Sequence, residues 1–246
     1  AWQLAQAKAL GAERVAVAMS CSLVQRGALP LLPEAVRTRS ALTCGADLVF
    51  ALPAPCACAG AEAFARAGVA LLAAAGCDGL VFGAETPDAA LLMEAAELLD
   101  SDSYRAALKA QLAGGARSFA AARQAAAAQL ASDERVAALL DKPNNNLAVE
   151  YCRAIRSLAP RMEAYPLPRQ GANHGEALHS AHGQFASASA LRKLWAEGGA
   201  DAVAPYVPEA VFPLYQEAYA AGQYTDFSAA GRCELALLRS ACRGKA

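Results

Sequence analysis

Long apolar runs, paired cysteine motifs and any surplus of one charge are missing from this sequence, and each absence removes a class of function. The longest uninterrupted apolar stretch, Ala67 to Cys77, is closed by Arg66 and Asp78 and falls well short of the roughly 18 residues a membrane-crossing helix needs. No basic segment followed by an apolar one and a small-residue cleavage site opens the chain, so nothing reads as a secretory signal. The first residue is Ala1, which fits a start inside a longer gene and removal of an initiator Met equally well. Its eight cysteines form no CxxC pair, which argues against zinc. Cys56 and Cys58, two apart in an apolar segment, suit buried thiols in a reducing compartment, and the expected location is the cytoplasm. Formal charge is −1 without a clustered basic patch, so charge alone does not announce a nucleic-acid face. Nucleophile-elbow (GxSxG) and Walker-type phosphate loops are absent as well. The spacing of the three histidines, His174, His179 and His182, does not repeat on a single helix face, and no metal site is expected from them.

What the chain does have is alanine. Hydrophobic residues make up 56% of the sequence while aromatics supply only 7%, so the core must come from small side chains on closely packed helices, with few large anchors. Short β-branched apolar runs at 14–19, 47–53 and 79–84, and a further one at 161–169 ending in prolines, read as strands. Continuous apolarity predicts strands covered on both faces. Helical periodicity appears at 3–11, closed by Gly11, and at 35–45, 57–75, 88–99, 103–113, 116–131, within 142–155, at 187–198 and at 229–242. Strands alternating with crossover helices predict an α/β fold with a doubly wound parallel sheet. A change to Pro-, Tyr- and Phe-rich composition near residue 200 marks a soft boundary.

In such a sheet ligands bind beyond the carboxyl ends of the strands. Polar clusters sit at those ends: Ser20, Gln25 and Arg26; Gly83 and Glu85; Arg169, Gly171 and His174. Loops need polar residues there in any case. Gly83, at the tip of LVFGAE, would let a flat group approach the backbone, or would serve a tight turn. In PNNNL (143–147) Asn144 or Asn145 can cap a helix or turn outward to a ligand. Ser187, Ser189 and Arg192 combine hydroxyls, a helix start and a guanidinium, suited to a phosphate or to an ordinary serine cap.

Six strings then fall in the order of one family. AMSCSLVQRG (18–27), RTRSALTCGADLVFALP (37–53), AEAFARAGVALLAAAGCDGLVFGAE (61–85), KPNNNLAVEYCRAI (142–155), PRQGANH (168–174) and ASASALR (186–192) together resemble the tRNA(Met) cytidine acetate ligases, nucleotidyltransferases of the HxGH type. The resemblance implies a Rossmann-like nucleotidyltransferase domain over 1–199, with extra helices, and the start of a C-terminal helical region over 200–246. It implies an enzyme, a ligase that activates acetate with ATP (and Mg2+) to acetyl-adenylate and acetylates the wobble cytidine of elongator tRNA(Met). Matched string by string, Gly83, Asn144 (with Asn145 as the alternative register) and Arg169 would contact ATP, and Ser187, Ser189 and Arg192 would lie near its phosphates.

The family's first strand and its NPFHxGH loop have no counterpart, so the domain is read as lacking both and the catalytic residues stay unassigned. SCSLVQRGALP stands where the family has SGNFVQRGEPA, Glu34 where it has a lysine, and Ala51 where it has the acid of an ELP motif. These departures keep two other readings open: a small-molecule adenylyltransferase with no RNA partner, and a degenerate, non-catalytic nucleotide-binding protein. Oligomeric state is not legible.

Overall fold

The computed structural model describes residues 1–25, 28–116, 118–169 and 186–243. Helix α1 (Trp2–Ala9) leads into strand β1 (Ala16–Ser20), and α2 (Glu34–Thr43) into β2 (Leu48–Leu52). A single turn, α3 (Ala54–Ala57), precedes α4 (Ala61–Ala74), which leads into β3 (Gly79–Ala84). The helix-to-strand reversals after α2 and α4 repeat one device. Gly45 (φ 101°) and Gly76 (φ 82°) close the helices in left-handed backbone, which glycine adopts without a Cβ penalty, and an aspartate follows each two residues later. Five helices come next: α5 (Ala89–Asp100), α6 (Asp102–Ala113), α7 (Phe119–Leu130), α8 (Glu134–Leu139) and α9 (Pro143–Leu158). Side-chain oxygens of Asp88, Ser101, Ser118 and Asp133 cap α5 to α8 in turn. Strand β4 (Glu163–Pro168) is followed by α10 (Ala188–Val203), α11 (Phe212–Ala220) and α12 (Phe227–Arg243), with two 3₁₀ turns between α10 and α11.

All four expected strands form, and both ladders are parallel. They make two pairs, β1 with β2 and β3 with β4, rather than one continuous sheet. The pairs are joined through helices. α4 packs on β1 and β2, α9 packs on β3 and β4, and α4 and α9 pack extensively on each other. Both helices carry residues with no exposed surface, among them Ala65 and Val69 on α4 and Ala148, Val149 and Ala154 on α9. Small side chains there let the helix axes approach closely, as the alanine-rich composition requires.

Burial on both faces is approached only by β3, whose alternate residues Leu80, Phe82 and Ala84 are buried and the others half-buried. β1 is half-buried along its length, and β2 leaves Leu48 56% exposed. The expectation of three fully covered strands therefore fails for β1 and β2, which have cover on fewer sides than their apolar sequences suggested. The main core gathers Leu80 and Phe82 with Val69, Leu72, Leu92, Leu99, Val149 and Ile155, each worth about 1.5–3 kcal/mol when removed from water. Phe82 and Tyr151 meet with ring centroids 5.3 Å apart.

A second cluster joins Leu32 and Val36 to Trp195, Ala200, Val203 and Ala218. Trp195 lies edge-on to Tyr215, Tyr219 and Tyr224. The segment after residue 200 is helical and docks on α2. Thr225 reinforces this docking by donating from N and Oγ1 to the carbonyls of Leu31 (2.8 Å) and Pro30 (2.6 Å). Helices α8 and α11 were not anticipated; α8 is only six residues long, too short for periodicity to reveal. The helix expected over 57–75 begins only after Gly60, as α4, and Ala57 belongs to the separate turn α3. Cys56 and Cys58 are half-buried and unpaired, which corrects their expected burial. Among the described residues no cluster of metal-binding side chains occurs and no helix is long and apolar enough to cross a membrane.

Candidate functional site

The parallel register of β3 and β4 sets Gly83 beside Leu167 and Ala84 beside Pro168. One residue further, the amide of Arg169 donates to the Ala84 carbonyl at 3.0 Å, which brings the exposed Arg169 to the rim where β3 ends, next to Gly83. Gly83 is half-buried and its backbone is not in the left-handed region, so no turn demands a glycine there. A methyl group at this position would meet only Gln3 Nε2, at 3.6 Å. Internal packing does not require the absence of a side chain, and α1 lies close over the same rim.

The third element is the start of α9. Its N-cap residue, Lys142, offers no side-chain cap. Glu85, from the strand end, takes that role: Oε1 accepts from the Asn144 amide (3.2 Å) and from Asn144 Nδ2 (2.6 Å), and Oε2 accepts from the Asn145 amide (2.6 Å). A carboxylate at a helix N-terminus is favoured by both hydrogen bonding and the helix dipole. Asn145 has no exposed surface and is committed to Thr86, accepting from its amide at 2.9 Å and donating to its hydroxyl at 3.1 Å. Asn144 is half-buried. Asn146 donates to the carbonyls of Leu140 (2.9 Å) and Lys142 (3.1 Å), while its Oδ1 is buried without a partner.

The asparagines therefore do not cap their own helix, contrary to the expectation for at least one of them. Glu85 was legible as a polar residue at a strand end, but its role depends on a partner 59 residues away. Gly83, Asn144 and Arg169 are brought to one rim through Ala84 and Glu85.

At the end of β1, Arg37 is the residue that sequence reasoning passed over. It donates to the carbonyls of Leu32 (3.0 Å), Ser20 (2.6 Å) and Cys21, and so fixes the loop leaving the strand; burial lowers its pKa from the ordinary value. Only its place in the RTRSALT string hinted at this. Glu34 is exposed in the first turn of α2, a position favourable to an acid. Ser187 caps α10 by accepting from the Ala190 amide at 3.2 Å and lies 3.0 Å from the Ser189 hydroxyl. Arg192 sits over the Phe227 ring, 5.7 Å from its centroid. No hydrogen bond among the described residues joins these three to Gly83, Asn144 or Arg169. Arg26, Gly171, His174, His179 and His182 lie outside the described residues.

The family model for the HIGH Nucleotidyl Transferase matches residues 1–240. The chain belongs to this family. The chain is 39% identical over 196 residues to the tRNA(Met) cytidine acetate ligase of Syntrophotalea carbinolica, with 79% of this chain and 46% of that protein covered. It is 34% identical over 212 residues to that of Caldanaerobacter subterraneus subsp. tengcongensis, with 85% and 52% covered. Among solved structures it is similar to Thermotoga maritima TmcAL bound with alpha-thio ATP, at a TM-score of 0.80 and 28% identity, covering 91% of this chain and 53% of that one. The apo form of the same protein gives 0.83 and 29%, covering 91% and 54%. The chain thus has the Rossmann-like α/β fold of those structures and spans about half the length of the curated relatives it matches. Its rim combines a bare strand tip, a half-buried amide and an exposed guanidinium, a set able to receive a planar group, a hydroxyl and an anion.

Proposed function

We propose that this chain is the nucleotide-binding part of an ATP-dependent acetate ligase acting on tRNA(Met). The observation that carries the reading is the meeting of Gly83, Asn144 and Arg169 at one strand-end rim, in a chain similar to a TmcAL bound with an ATP analogue. Adenine would lie against the Gly83 backbone. Asn144, rather than the fully committed Asn145, would meet a ribose or phosphate oxygen, and Arg169 would offset the charge that builds at the α-phosphate. In this reaction an acetate oxygen attacks the α-phosphorus and pyrophosphate leaves; the cytidine N4 amine then attacks the acetyl carbon and AMP leaves. Mg2+ would arrive on the ATP phosphates, since both Glu85 oxygens are engaged by α9. Ser187 and Arg192 have local partners, so a phosphate role for Ser187, Ser189 and Arg192 would require them to exchange those contacts.

The domain organisation is part of the same proposal. Residues 1–199 would form a nucleotidyltransferase domain and 200–246 the beginning of a helical region. β1 and β3 each pair on one side only. Gln3 of α1 lies over Gly83, and Lys8 of the same helix lies 3.3 Å from Asp47.

The test uses the protein with whatever residues its gene encodes ahead of Ala1. Incubated with acetate, ATP and tRNA(Met), it should form N4-acetylcytidine, and Arg169→Ala should weaken ATP binding in calorimetry by about tenfold or more. Adenylate formed with no RNA product would favour the small-molecule adenylyltransferase. ATP binding with no adenylate would favour the non-catalytic reading, to which Glu34 and Ala51 point. Equal ATP affinity in wild type and Arg169→Ala would remove Arg169 from the site.

A further inference from the structure

On the flank of α9 away from the rim, a cavity of about 540 Å³ opens between α4, α6, α7 and α9. None of Gly83, Asn144 or Arg169 lines it; Glu150 and Arg153 enter it from α9, beginning six positions beyond Asn144, roughly 9 Å of helix rise. A smaller cavity adjoins it and reaches Ser157. The volume is that of an ordinary small-ligand site.

Four arginines line the larger cavity, and their partners divide them into two kinds. Arg123 and Arg153 each donate to the buried Glu150 at 2.7 Å, and Arg153 also donates to Asp100 at 2.8 Å. Glu150 is only 4% exposed, so this carboxylate is satisfied and holds two guanidinium groups in fixed positions. The other two are not held by a buried acid. Arg66 donates to the neutral Ser157 hydroxyl at 3.1 Å. Arg105 pairs at 2.7 Å with Asp102 on its own helix, an acid 97% exposed, and such exposed pairs contribute little. Glu62, 65% exposed, is the remaining acid on the wall and lies 3.8 Å from Arg153.

Two more features complete the lining. The first turn of α4, from Gly60 to Ala63, contributes to the wall, and no side chain caps it. Leu99, Leu108 and Phe119 supply apolar lining. The Phe119 ring, 61% exposed, offers a face of the kind on which nucleobases stack.

We propose that this cavity is a second nucleotide site: Arg66 and Arg105 bind a phosphate over the first turn of α4, and the attached base stacks on Phe119. The pair fixed by Glu150 forms one wall, and the two exposed guanidinium groups, Arg66 and Arg105, supply the affinity. A free nucleoside monophosphate and one nucleotide of an RNA strand present the same chemistry. The inference is independent of the ATP reading, because the two sites share no residue named for binding.

Two probes decide it, measured on the 246-residue chain: cytidine 5′-monophosphate by calorimetry, and a fluorescein-labelled ten-nucleotide single-stranded RNA by anisotropy at low salt. Binding of at least one probe should weaken about tenfold in Arg66→Gln. Ser157→Ala and Arg135→Gln, the latter an equal charge loss on α8, should bind as wild type does. Loss confined to the RNA probe identifies the strand as the ligand, and loss with the monophosphate identifies the free nucleotide. Should Arg66→Gln fail to fold, Arg105→Gln on a separate helix carries the same expectation. The proposal is overturned if neither probe binds wild type more tightly than millimolar, or if both bind the folded arginine variants unchanged.

Discussion

Gly83 shows how a single residue separates packing from function. Gly79, at the other end of the same strand, has an internal reason to be glycine: a methyl group there would come within 2.9 Å of the Tyr165 ring. Gly83 has none, since only the flexible end of Gln3 faces it. Gly83→Val should therefore leave the thermal midpoint within a few degrees of wild type while reducing ATP affinity by about tenfold or more, because a branched side chain would stand where the flat group lies. Calorimetry beside a melting curve checks both halves. A large drop in the melting temperature would instead show that packing had required the glycine.

At the scale of elements, single acids fasten segments that are far apart in sequence. Glu85 fastens α9 to the end of β3 through three donors. Glu85→Ala should cost about 1–2 kcal/mol in urea unfolding, the range of a lost cap, and should loosen ATP binding because Asn144 loses its restraint. Asp47 performs a similar task at the opposite ends of the strands. It accepts from the Val15 amide at 2.8 Å and from Arg14 at 3.0 Å, with Lys8 at 3.3 Å, and so joins α1, β1 and β2. The Val15 amide first, and Arg14 next, draw its pKa down to about 2. A carboxyl depressed by folding contributes stability above its unfolded pKa, roughly 4, and loses that contribution as pH falls through the folded value. Asp47→Asn should accordingly melt earlier than wild type at pH 6, and the difference should close as the pH approaches 2. A gap independent of pH would show that the charge is not what fastens these segments.

For the whole molecule, two hydrophobic clusters divide the work. The main cluster holds both strand pairs together through α4 and α9, while the second, centred on Trp195, docks the segment after residue 200 onto α2. Trp195 is 3% exposed, and its indole N–H is buried with no acceptor among the described residues, so packing is its main contribution there. Gly199 (φ 67°) adds to this: any side chain there would run into the Tyr219 ring, 2.5 Å from the Cβ position. Trp195→Ala should destabilise the chain by about 3–5 kcal/mol and should speed proteolytic cleavage after residue 200 before the main domain is cut. Simultaneous loss of both parts would show that they unfold as one unit.

Much of this architecture was legible in the residues themselves. The four strands, most helices and the glycine stops arise from periodicity and backbone preference, which act over a few positions and are written locally. Gly83, Asn144 and Arg169 could be named for the same reason, as polar or bare positions at strand ends and helix starts. Local pattern could not reveal that Glu85, rather than an asparagine, caps α9, or that Arg37 ties three carbonyls. Nor could it show that Glu150 gathers Arg123 and Arg153 into the wall of a cavity. Those pairings join groups from 3 to 60 positions apart, and only the packing of helices on strands brings most of them within hydrogen-bonding reach. The same packing determined that the strands stand as two pairs, because ladder pairing depends on which edges meet in space and not on the apolarity of any one strand.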